Sequence, residues 1–191
     1  MTLICFATFE EAESSLDLLK AKPVQSGLYQ CALGFIAITG IGSFAAHVVT
    51  TALSESIDRI INIGLAGSQN KDLAFGSIHT IRKVSKFHWH PKGIDAARKT
   101  LAGTLPEIQL AESGLSLCTF DSPFYGELAG CDLVDMEGYG HAFAAQAIGK
   151  KCTLIKVVSD FCDKDSFAMI KTHLPELSKK MALYLSEEVR G

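Results

Sequence analysis

Solidly apolar segments that alternate with helix-like segments constrain the fold of this chain most. The segments DRIINIGLAGS (58–68) and CTLIKVVSD (152–160) are dominated by consecutive hydrophobic residues rather than by a polar–apolar alternation. Strands of this kind are buried on both faces, as in parallel sheets that helices cover on both sides. GIGSFAAHVVTTALSES (40–56) and GYGHAFAAQAIG (138–149) are predicted as helices. The pattern predicts an α/β fold with a mixed, largely parallel central sheet flanked by helices.

The rest of the chain fits the same fold and shows no sign of a second unit. TLICFAT (2–8) is predicted as a buried first strand, and LYQCALGFIAIT (28–39) as a hairpin that turns near Gly34. The C-terminal segment is predicted to be mostly helical, with a kink or a split at Pro175. Because there is no linker, repeat or low-complexity segment, residues 1–191 are expected to form a single domain.

Charge and composition exclude several classes of protein. The net charge is −3 and basic residues are not clustered, which argues against a nucleic-acid partner. No apolar run approaches the roughly 18–20 residues of a membrane span, and Glu10 and Glu11 interrupt the apolar N-terminal stretch, unlike a signal peptide. The six cysteines show no CxxC pair, so we expect buried free thiols in a reduced, cytoplasmic protein.

The histidine residues give no indication of a metal site. They lack HExxH-like pairing, so we expect neither a metal nor another cofactor. His88, Trp89 and His90 form an aromatic cluster that could contact a substrate tail or a partner subunit. Ordinary packing is the commoner role of such residues and is the interpretation preferred here.

Three carboxylates follow predicted strands, at the place where each strand ends. Glu11 comes after the first strand, Glu137 after CDLVDM (131–136), and Asp160 after CTLIKVVS (152–159). A glycine-rich segment, Gly64–Ser68, is predicted as a turn that follows another strand. Ligands in open α/β sheets bind beyond the carboxyl ends of the strands. These features are therefore expected to converge on one edge of the sheet.

Each of these acids also has an ordinary structural explanation. Thr8 and Glu11 have the spacing of a helix N-terminal capping box. Glu137 would be favoured at a helix N-terminus, where the macrodipole attracts negative charge, and Asp160 could begin a turn. Asp135 is expected to face away from Glu137, since adjacent residues of a strand alternate sides. Their joint occurrence at strand ends is what favours a functional site.

Four segments together resemble a known superfamily. TGIGSFAAH (39–47), IINIGLAGS (60–68), VDMEGYGHAFA (134–144) and LIKVVSDFCD (154–163) occur in the order seen in the nucleoside phosphorylase/nucleosidase superfamily. Within it, the chain resembles 5′-methylthioadenosine/S-adenosylhomocysteine nucleosidases and futalosine hydrolases. The resemblance implies an N-ribosyl hydrolase that cleaves a purine from its ribose and acts as a homodimer.

The resemblance also implies roles for the acids. Glu11 would activate the attacking water, and Asp160, oriented by Ser159, would protonate the purine at N7. Protonation makes the purine a better leaving group, and a positioned acid contributes about 10²–10⁴ in rate. Burial of a carboxyl group would help Asp160 to hold the proton.

Five further residues are assigned to substrate binding by the same resemblance. Glu137 would bind the ribose hydroxyls, with Met136 beneath the sugar, and Ala66 and Gly67 would line the ribose side. Phe120 is the expected ring against the purine. A carboxylate on the ribose favours the cation-like transition state more than the ground state.

Two positions depart from the pattern of the nucleosidases. Lys156 stands where they usually carry arginine, and Leu65 where they usually carry serine. Lys156 is expected to contribute to substrate binding by fixing Glu11 or the water, although arginine and lysine are not interchangeable at bidentate sites. The alternative is that Lys156 points into solvent. These departures leave a catalytically weakened nucleoside-binding homologue as an alternative.

Local chemistry narrows the reaction type and the substrates that the resemblance implies. The first basic residue is Lys20, so the early segment has no cation to hold phosphate, and hydrolysis is favoured over the alternative of a purine nucleoside phosphorylase. A carboxyl group can donate to N7 and accept from a 6-amino group, which favours adenine. The candidates are 5′-methylthioadenosine, S-adenosylhomocysteine and 6-amino-6-deoxyfutalosine, the last an intermediate of menaquinone synthesis.

Overall fold

The computed structural model describes residues 1–53, 56–87 and 105–188, which form one ten-stranded sheet with helices on both faces. The strands are β1 (Thr2–Phe6), β2 (Lys22–Gln25), β3 (Leu28–Cys31), β4 (Gly34–Ile38), β5 (Arg59–Ser68), β6 (Ile78–Lys86), β7 (Ile108–Gln109), β8 (Leu115–Thr119), β9 (Leu133–Asp135) and β10 (Lys151–Asp160). The helices are α1 (Phe9–Leu18), α2 (Ser43–Ala52), α3 (Gly138–Ala147) and α4 (Ser166–Glu188).

Strand β5 is the centre of the sheet because it pairs with strands on both of its sides, one set forming an open edge and the other a closed ring. On one side it runs parallel to β1, which continues through β4 and β3 to the exposed edge strand β2. On the other side β5, β10, β6, β8 and β9 pair successively and close into a ring. Five pairings of the described strands are parallel and five are antiparallel. The predicted α/β class with a mixed central sheet is confirmed.

The two faces of the sheet carry separate apolar layers. In β1, Ile4 and Phe6 pack with the core side chains of α1 and α4, whereas Leu3 and Cys5 pack on the opposite face, toward α2 and α3. This is the period of two that a strand buried on both sides requires. Burial on both faces fixes the register of β1 and β5, and therefore fixes where their carboxyl ends lie.

Three local predictions can be compared with the structure. The hairpin at Gly34 is confirmed, since β3 and β4 pair with Cys31 opposite Gly34, where φ is 135° and a side chain would collide with the Thr2 carbonyl oxygen. The predicted turn at Gly64–Ser68 is wrong, because β5 continues to Ser68 through its pairing with β10 and β9. Helix α4 is not split at Pro175, because core contacts of its apolar face support it beyond that residue.

The cysteines depart from the expectation of six free thiols. Cys118 and Cys131 form a disulfide with a Cα–Cα distance of 6.1 Å, while Cys5, Cys31, Cys152 and Cys162 are free. The bond is possible because β8 pairs with β9 and brings the segment before β9 beside Cys118. Among the described residues no helix is long and apolar enough to cross a membrane. The cluster of His88, Trp89 and His90 lies outside the described residues.

Candidate active site

A cavity of about 300 Å³ opens at the carboxyl ends of β1, β5, β9 and β10. That volume lies at the lower end of the range for small-molecule sites. All of the predicted site residues except Phe120 and Lys156 line this cavity, namely Glu11, Ala66, Gly67, Met136, Glu137, Ser159 and Asp160. The convergence expected from the strand ends is therefore present in the fold.

Glu11 is fixed at the start of α1 and faces the cavity. Thr8 caps the helix by accepting a hydrogen bond from the Glu11 amide, and the Glu11 carboxylate accepts one from the Ala7 amide, both at 3.3 Å. Burial, followed by the charge of Glu137, raises the pKa of Glu11 to about 7, against the opposing effect of Lys156. A carboxylate that gains a proton near neutral pH is suited to general-base chemistry.

Glu137 occupies the N-cap position of α3 but does not cap that helix with its side chain. Its Oε1 instead accepts a hydrogen bond of 2.8 Å from the amide of Gly42, which precedes α2. Burial and then the charge of Asp135 raise the pKa of Glu137 to about 7, while Lys156 and the Gly42 amide oppose the rise. The Gly42 amide thus holds the carboxylate at the cavity wall, and the carboxylate does not cap α3.

Asp160 ends β10, just after an irregularity in the pairing with β5. The Ser159 hydroxyl donates to Oδ2 at 2.7 Å, and the Cys162 amide donates to Oδ1 at 2.9 Å. A Cβ atom on Gly67 would lie 2.9 Å from Oδ1, so the carboxyl group packs directly on that glycine. Both oxygens are oriented by neighbours on the same sheet edge, which holds the side chain in one position.

Asp135 is not a bystander, contrary to the expectation from strand alternation. It is 5% exposed, and its carboxylate forms an ion pair of 2.7 Å with Lys156. Thr119 and the Gly138 amide donate to the two Asp135 oxygens, at 2.6 and 2.7 Å. Asp135 therefore fixes the β9–α3 junction on which Glu137 sits.

Lys156 lies behind the cavity and does not line it, so the structure gives no support to a direct substrate contact by this residue. Its ammonium group is 1% exposed and donates to Asn62 at 2.8 Å in addition to the pair with Asp135. Burial lowers the pKa of Lys156, but the nearby carboxylates outweigh burial and raise it. Lys156 is therefore an internal cation behind Glu11 and Glu137.

The aromatic wall of the cavity differs from the prediction. Phe120 is 4% exposed and does not line the cavity; it stacks between Phe87 and Phe124, with ring centroids 5.5 and 4.8 Å away. Phe124 and the neighbouring Tyr125 line the cavity instead. The assignment of Phe120 as the ring against the purine is therefore corrected, because the chain after β8 places Phe124 in front of it.

Sequence reasoning also missed the apolar end of the cavity. Ile41, Leu65, Phe167, Ile170 and Leu174 line it there. Ile41 and Phe167 are 61% and 71% exposed. The large apolar residues at the starts of helices α2 and α4 could have indicated an apolar binding surface in the sequence. Only the fold shows that these two helix ends meet the same cavity.

The charged residues that line the cavity, among those the structure describes, are all acidic. Among the described residues that line the cavity none is lysine, arginine or histidine, whereas four are aspartate or glutamate, namely Glu11, Asp135, Glu137 and Asp160. The described residues also contain no group of three potential ligands arranged to hold a metal ion. The site can accept protons and bind hydroxyl or amino groups, but it offers no cationic cradle for an anion.

The chain shares its fold with solved structures of nucleosidases and of a futalosine hydrolase, at sequence identities below 25%. A nucleosidase (MTAN) from Chlamydia trachomatis aligns with a TM-score of 0.82 and 22% identity over 99% of this chain and 97% of that one. The futalosine hydrolase of Helicobacter pylori aligns with a TM-score of 0.85 and 18% identity over 99% and 97%. The 5′-methylthioadenosine/S-adenosylhomocysteine nucleosidase of Helicobacter pylori gives 0.80 and 18% over the same shares. No protein-family model and no curated protein matches the chain.

Proposed function

We propose that this chain is a purine nucleoside N-ribosyl hydrolase that releases adenine from a 5′-substituted adenosine. The observation that carries the proposal is the meeting of Glu11, Glu137 and Asp160 around one cavity. These acids come from three separate strand ends, and each is held by backbone or hydroxyl donors. Paired carboxylates of this kind suit the cleavage of a glycosidic bond.

In this proposal the acids divide the reaction between them. Glu11 takes a proton from the attacking water, a role that its raised pKa suits. Glu137 accepts hydrogen bonds from the ribose hydroxyls and favours the positive charge that develops on the sugar. Asp160 delivers a proton to the departing purine, and Ser159 keeps its carboxyl group oriented.

The lack of cations among the described lining residues supports water as the nucleophile. A phosphorylase must bind phosphate, and arginine or lysine is the usual partner of that anion. Lys156 does not line the cavity, and Asp135 and Asn62 hold two of the three N–H donors of its ammonium group. Phosphorolysis is therefore the less favoured reaction for this site.

The shape of the cavity supports an adenosine with an apolar 5′-substituent. Asp160 can pair with N7 and with the 6-amino group of adenine, while Ile41 and Phe167 provide an apolar end. Two similar nucleosidases, from Chlamydia trachomatis and Helicobacter pylori, were crystallised with 5′-methylthioadenosine. We propose 5′-methylthioadenosine, S-adenosylhomocysteine and 6-amino-6-deoxyfutalosine as substrates, the last linking the chain to menaquinone synthesis.

The test is to incubate the protein with 5′-methylthioadenosine and with 6-amino-6-deoxyfutalosine, with and without phosphate, and to measure free adenine. We expect adenine in the absence of phosphate, and a loss of at least about a hundredfold in Glu11→Gln and Asp160→Asn. Strict dependence on phosphate would indicate a phosphorylase. No adenine under any condition would indicate a homologue that only binds nucleosides.

We also propose that two copies of this chain associate. Ile41, Phe44 and Val48 are large apolar residues around α2 that are 46–80% exposed, and Phe143 on α3 extends the patch at 39% exposure. The patch is continuous with the cavity through Ile41, so a second copy seated there would cover the cavity mouth. Light scattering should give twice the chain mass, and Phe44→Arg should give a monomer; a monomeric wild type would contradict this.

A further inference from the structure

The disulfide closes the loop that forms one wall of the cavity. Cys118 lies in β8 and Cys131 lies just before β9, so the bond spans most of residues 120–132, called here the wall loop. Pro123, Phe124 and Tyr125 of this loop line the cavity. The only covalent cross-link in the described residues therefore joins the two ends of the wall.

Other contacts hold the wall loop less firmly. At its start, Asp121 pairs with Lys86. In its middle, the Gln69 amide donates to the Gly126 carbonyl at 3.0 Å and accepts from the Leu128 amide at 2.6 Å. Most of the loop surface is exposed, and Leu128 and Cys131 are the buried residues of its second half. The Gly126 amide also donates to the Cys162 carbonyl at 2.8 Å, and at the end of the loop Asp132 accepts from the amide and the hydroxyl of Ser116 at 2.9 and 2.7 Å. Loss of the disulfide would remove the covalent restraint next to this last anchor, and the mostly exposed segment between Gly126 and Asp132 is the part of the loop expected to open first.

We propose that the Cys118–Cys131 pair is a reversible thiol–disulfide site through which a dithiol reductant loosens the cavity wall and weakens substrate binding. A thiolate of the reductant attacks one sulfur, which breaks the S–S bond, releases the other cysteine as a thiolate and leaves a mixed disulfide between the reductant and the protein. The second thiolate of the reductant then attacks the reductant sulfur of the mixed disulfide, which closes the disulfide of the reductant and releases the remaining cysteine. Two electrons and two protons pass to Cys118 and Cys131, which become thiols.

Because the two sulfurs are buried, reduction of the disulfide depends on whether the wall loop is open or closed. Cys118 and Cys131 are 3% and 8% exposed, so a reductant reaches them when the wall loop opens. A nucleoside in the cavity would hold Phe124 and Tyr125 and so keep the loop closed. Reduction should therefore be slower with ligand bound, and by linkage the reduced protein should bind ligand more weakly.

The effect on substrate binding rests on the proposed function, so the experiment has two independent parts. First, free thiols are counted in denaturant without reductant, and the folded oxidised and reduced proteins are digested with chymotrypsin, which cuts after Phe124 or Tyr125. We expect four free thiols before reduction and six after it, with faster nicking of the wall loop in the reduced protein. This part requires no enzymatic activity.

Second, KM for 5′-methylthioadenosine is compared in the two states. We expect KM to be about three- to tenfold higher after reduction, the size expected for ordering one or two side chains on binding. Cys131→Ser should resemble the reduced protein and no longer respond to dithiothreitol. Cys31→Ser, which changes a half-buried free thiol on β3, should respond as the wild type does.

Six free thiols in the untreated protein, or equal nicking of the oxidised and reduced forms, would overturn the proposal. Altered nicking with an unchanged KM would overturn its link to substrate binding. If the thiol count and the nicking come out as expected but no adenine is released, the proposed function fails while the redox control of the wall loop stands.

Discussion

The ammonium group of Lys156 lies 2.7 Å from the carboxylate of Asp135, with both side chains at most 1% exposed. Three further donors and acceptors surround the pair, from Thr119, Gly138 and Asn62. A buried ion pair is costly to desolvate, and removing one partner leaves an uncompensated charge in the interior. Because the pair connects β10 to the β9–α3 junction, it determines where Glu137 stands relative to Glu11.

Lys156→Met should therefore lower the free energy of unfolding by about 3–5 kcal/mol, because the charge of Asp135 is left unpaired. The double variant with Asp135→Asn should recover a substantial part of that loss, since residue 135 then carries no charge that needs a partner. Urea unfolding followed by circular dichroism measures both. Equal losses in the single and the double variant would contradict the account.

Lys83→Met is the matched control for this prediction. Lys83 also pairs with a carboxylate, at 2.9 Å from Glu107, but the two side chains are 27% and 48% exposed. Solvent screens such a pair, so its loss should cost less than about 1 kcal/mol. A cost comparable to that of Lys156→Met would show that burial is not the reason for the difference.

The pH dependence of activity should report the ionisation of Glu11. Its pKa is about 7, and the carboxylate must be ionised to accept a proton from water, so kcat/KM should fall below about pH 7. Lys156 lowers the pKa of both Glu11 and Glu137, so Lys156→Met should move this acid limb to higher pH, by about one unit. The test is to measure kcat/KM between pH 5 and 9 in both proteins. An acid limb at the same pH in both would exclude Lys156 as an electrostatic partner of Glu11.

Stability should depend on pH through the same group. The pKa of Glu11 is raised from 4.5 to about 7, so between those values the unfolded chain loses its proton while the folded protein keeps it. Folding is then weakened as pH rises from about 4.5 to about 7, by up to about 3 kcal/mol, and the effect is constant above that. Glu11→Gln should lose this dependence, so its stability relative to the wild type should increase across that window.

Thermal unfolding of both proteins at several pH values measures the difference. The comparison cancels other titrations, such as that of His141, whose pKa burial lowers to about 3 and which acts in the opposite direction. A difference between the two proteins that does not change with pH would contradict the prediction.

The sequence predicted that three acids meet at one edge of the sheet, because strand ends determine their positions. The apolar runs of β1, β5 and β10 defined the strands, and the carboxyl-end rule then placed Glu11, Glu137 and Asp160 together. Asp135 was misjudged because alternation of sides applies to adjacent residues, whereas Asp135 and Glu137 are two apart and a period of two would place them on the same side. In the structure β9 ends at Asp135, and Glu137 has a helical ψ of −34°.

Features that depend on distant segments were less predictable. The disulfide and the aromatic wall depend on how residues 120–132 return to β9, which no local pattern encodes. The glycines of β5 suggested a turn, whereas they permit close packing, as at Gly67 against Asp160. Loop conformation and cross-strand packing are set by tertiary contacts, so these features required the fold.

Ser159→Ala should separate orientation of Asp160 from binding of substrate. The Ser159 hydroxyl donates to Asp160 at 2.7 Å, and a hydrogen bond to a charged group contributes about 1.5–3 kcal/mol, so kcat should fall by about tenfold or more. KM should change less, since the carboxyl group remains in place through the Cys162 amide. Ser186→Ala removes an ordinary helix-surface hydrogen bond to the Leu183 carbonyl and should leave both constants unchanged. A loss confined to KM would contradict an orienting role.

Gly67→Ala should impair activity without unfolding the protein. An added Cβ would lie 2.9 Å from Asp160 Oδ1 and 2.5 Å from Cys162 Sγ, so the carboxyl group must shift. Misplacement of a reacting group by about 1 Å costs about a hundredfold in rate, which is the loss of kcat expected here.

Cys162→Ala alone should be nearly as active as the wild type, because Asp160 is held by the backbone amide of residue 162. Combining the two changes removes the contact with sulfur but not the contact with Asp160, so the double variant should recover only a small part of kcat. Full recovery would show that the sulfur, and not the carboxyl group, is what Gly67 accommodates.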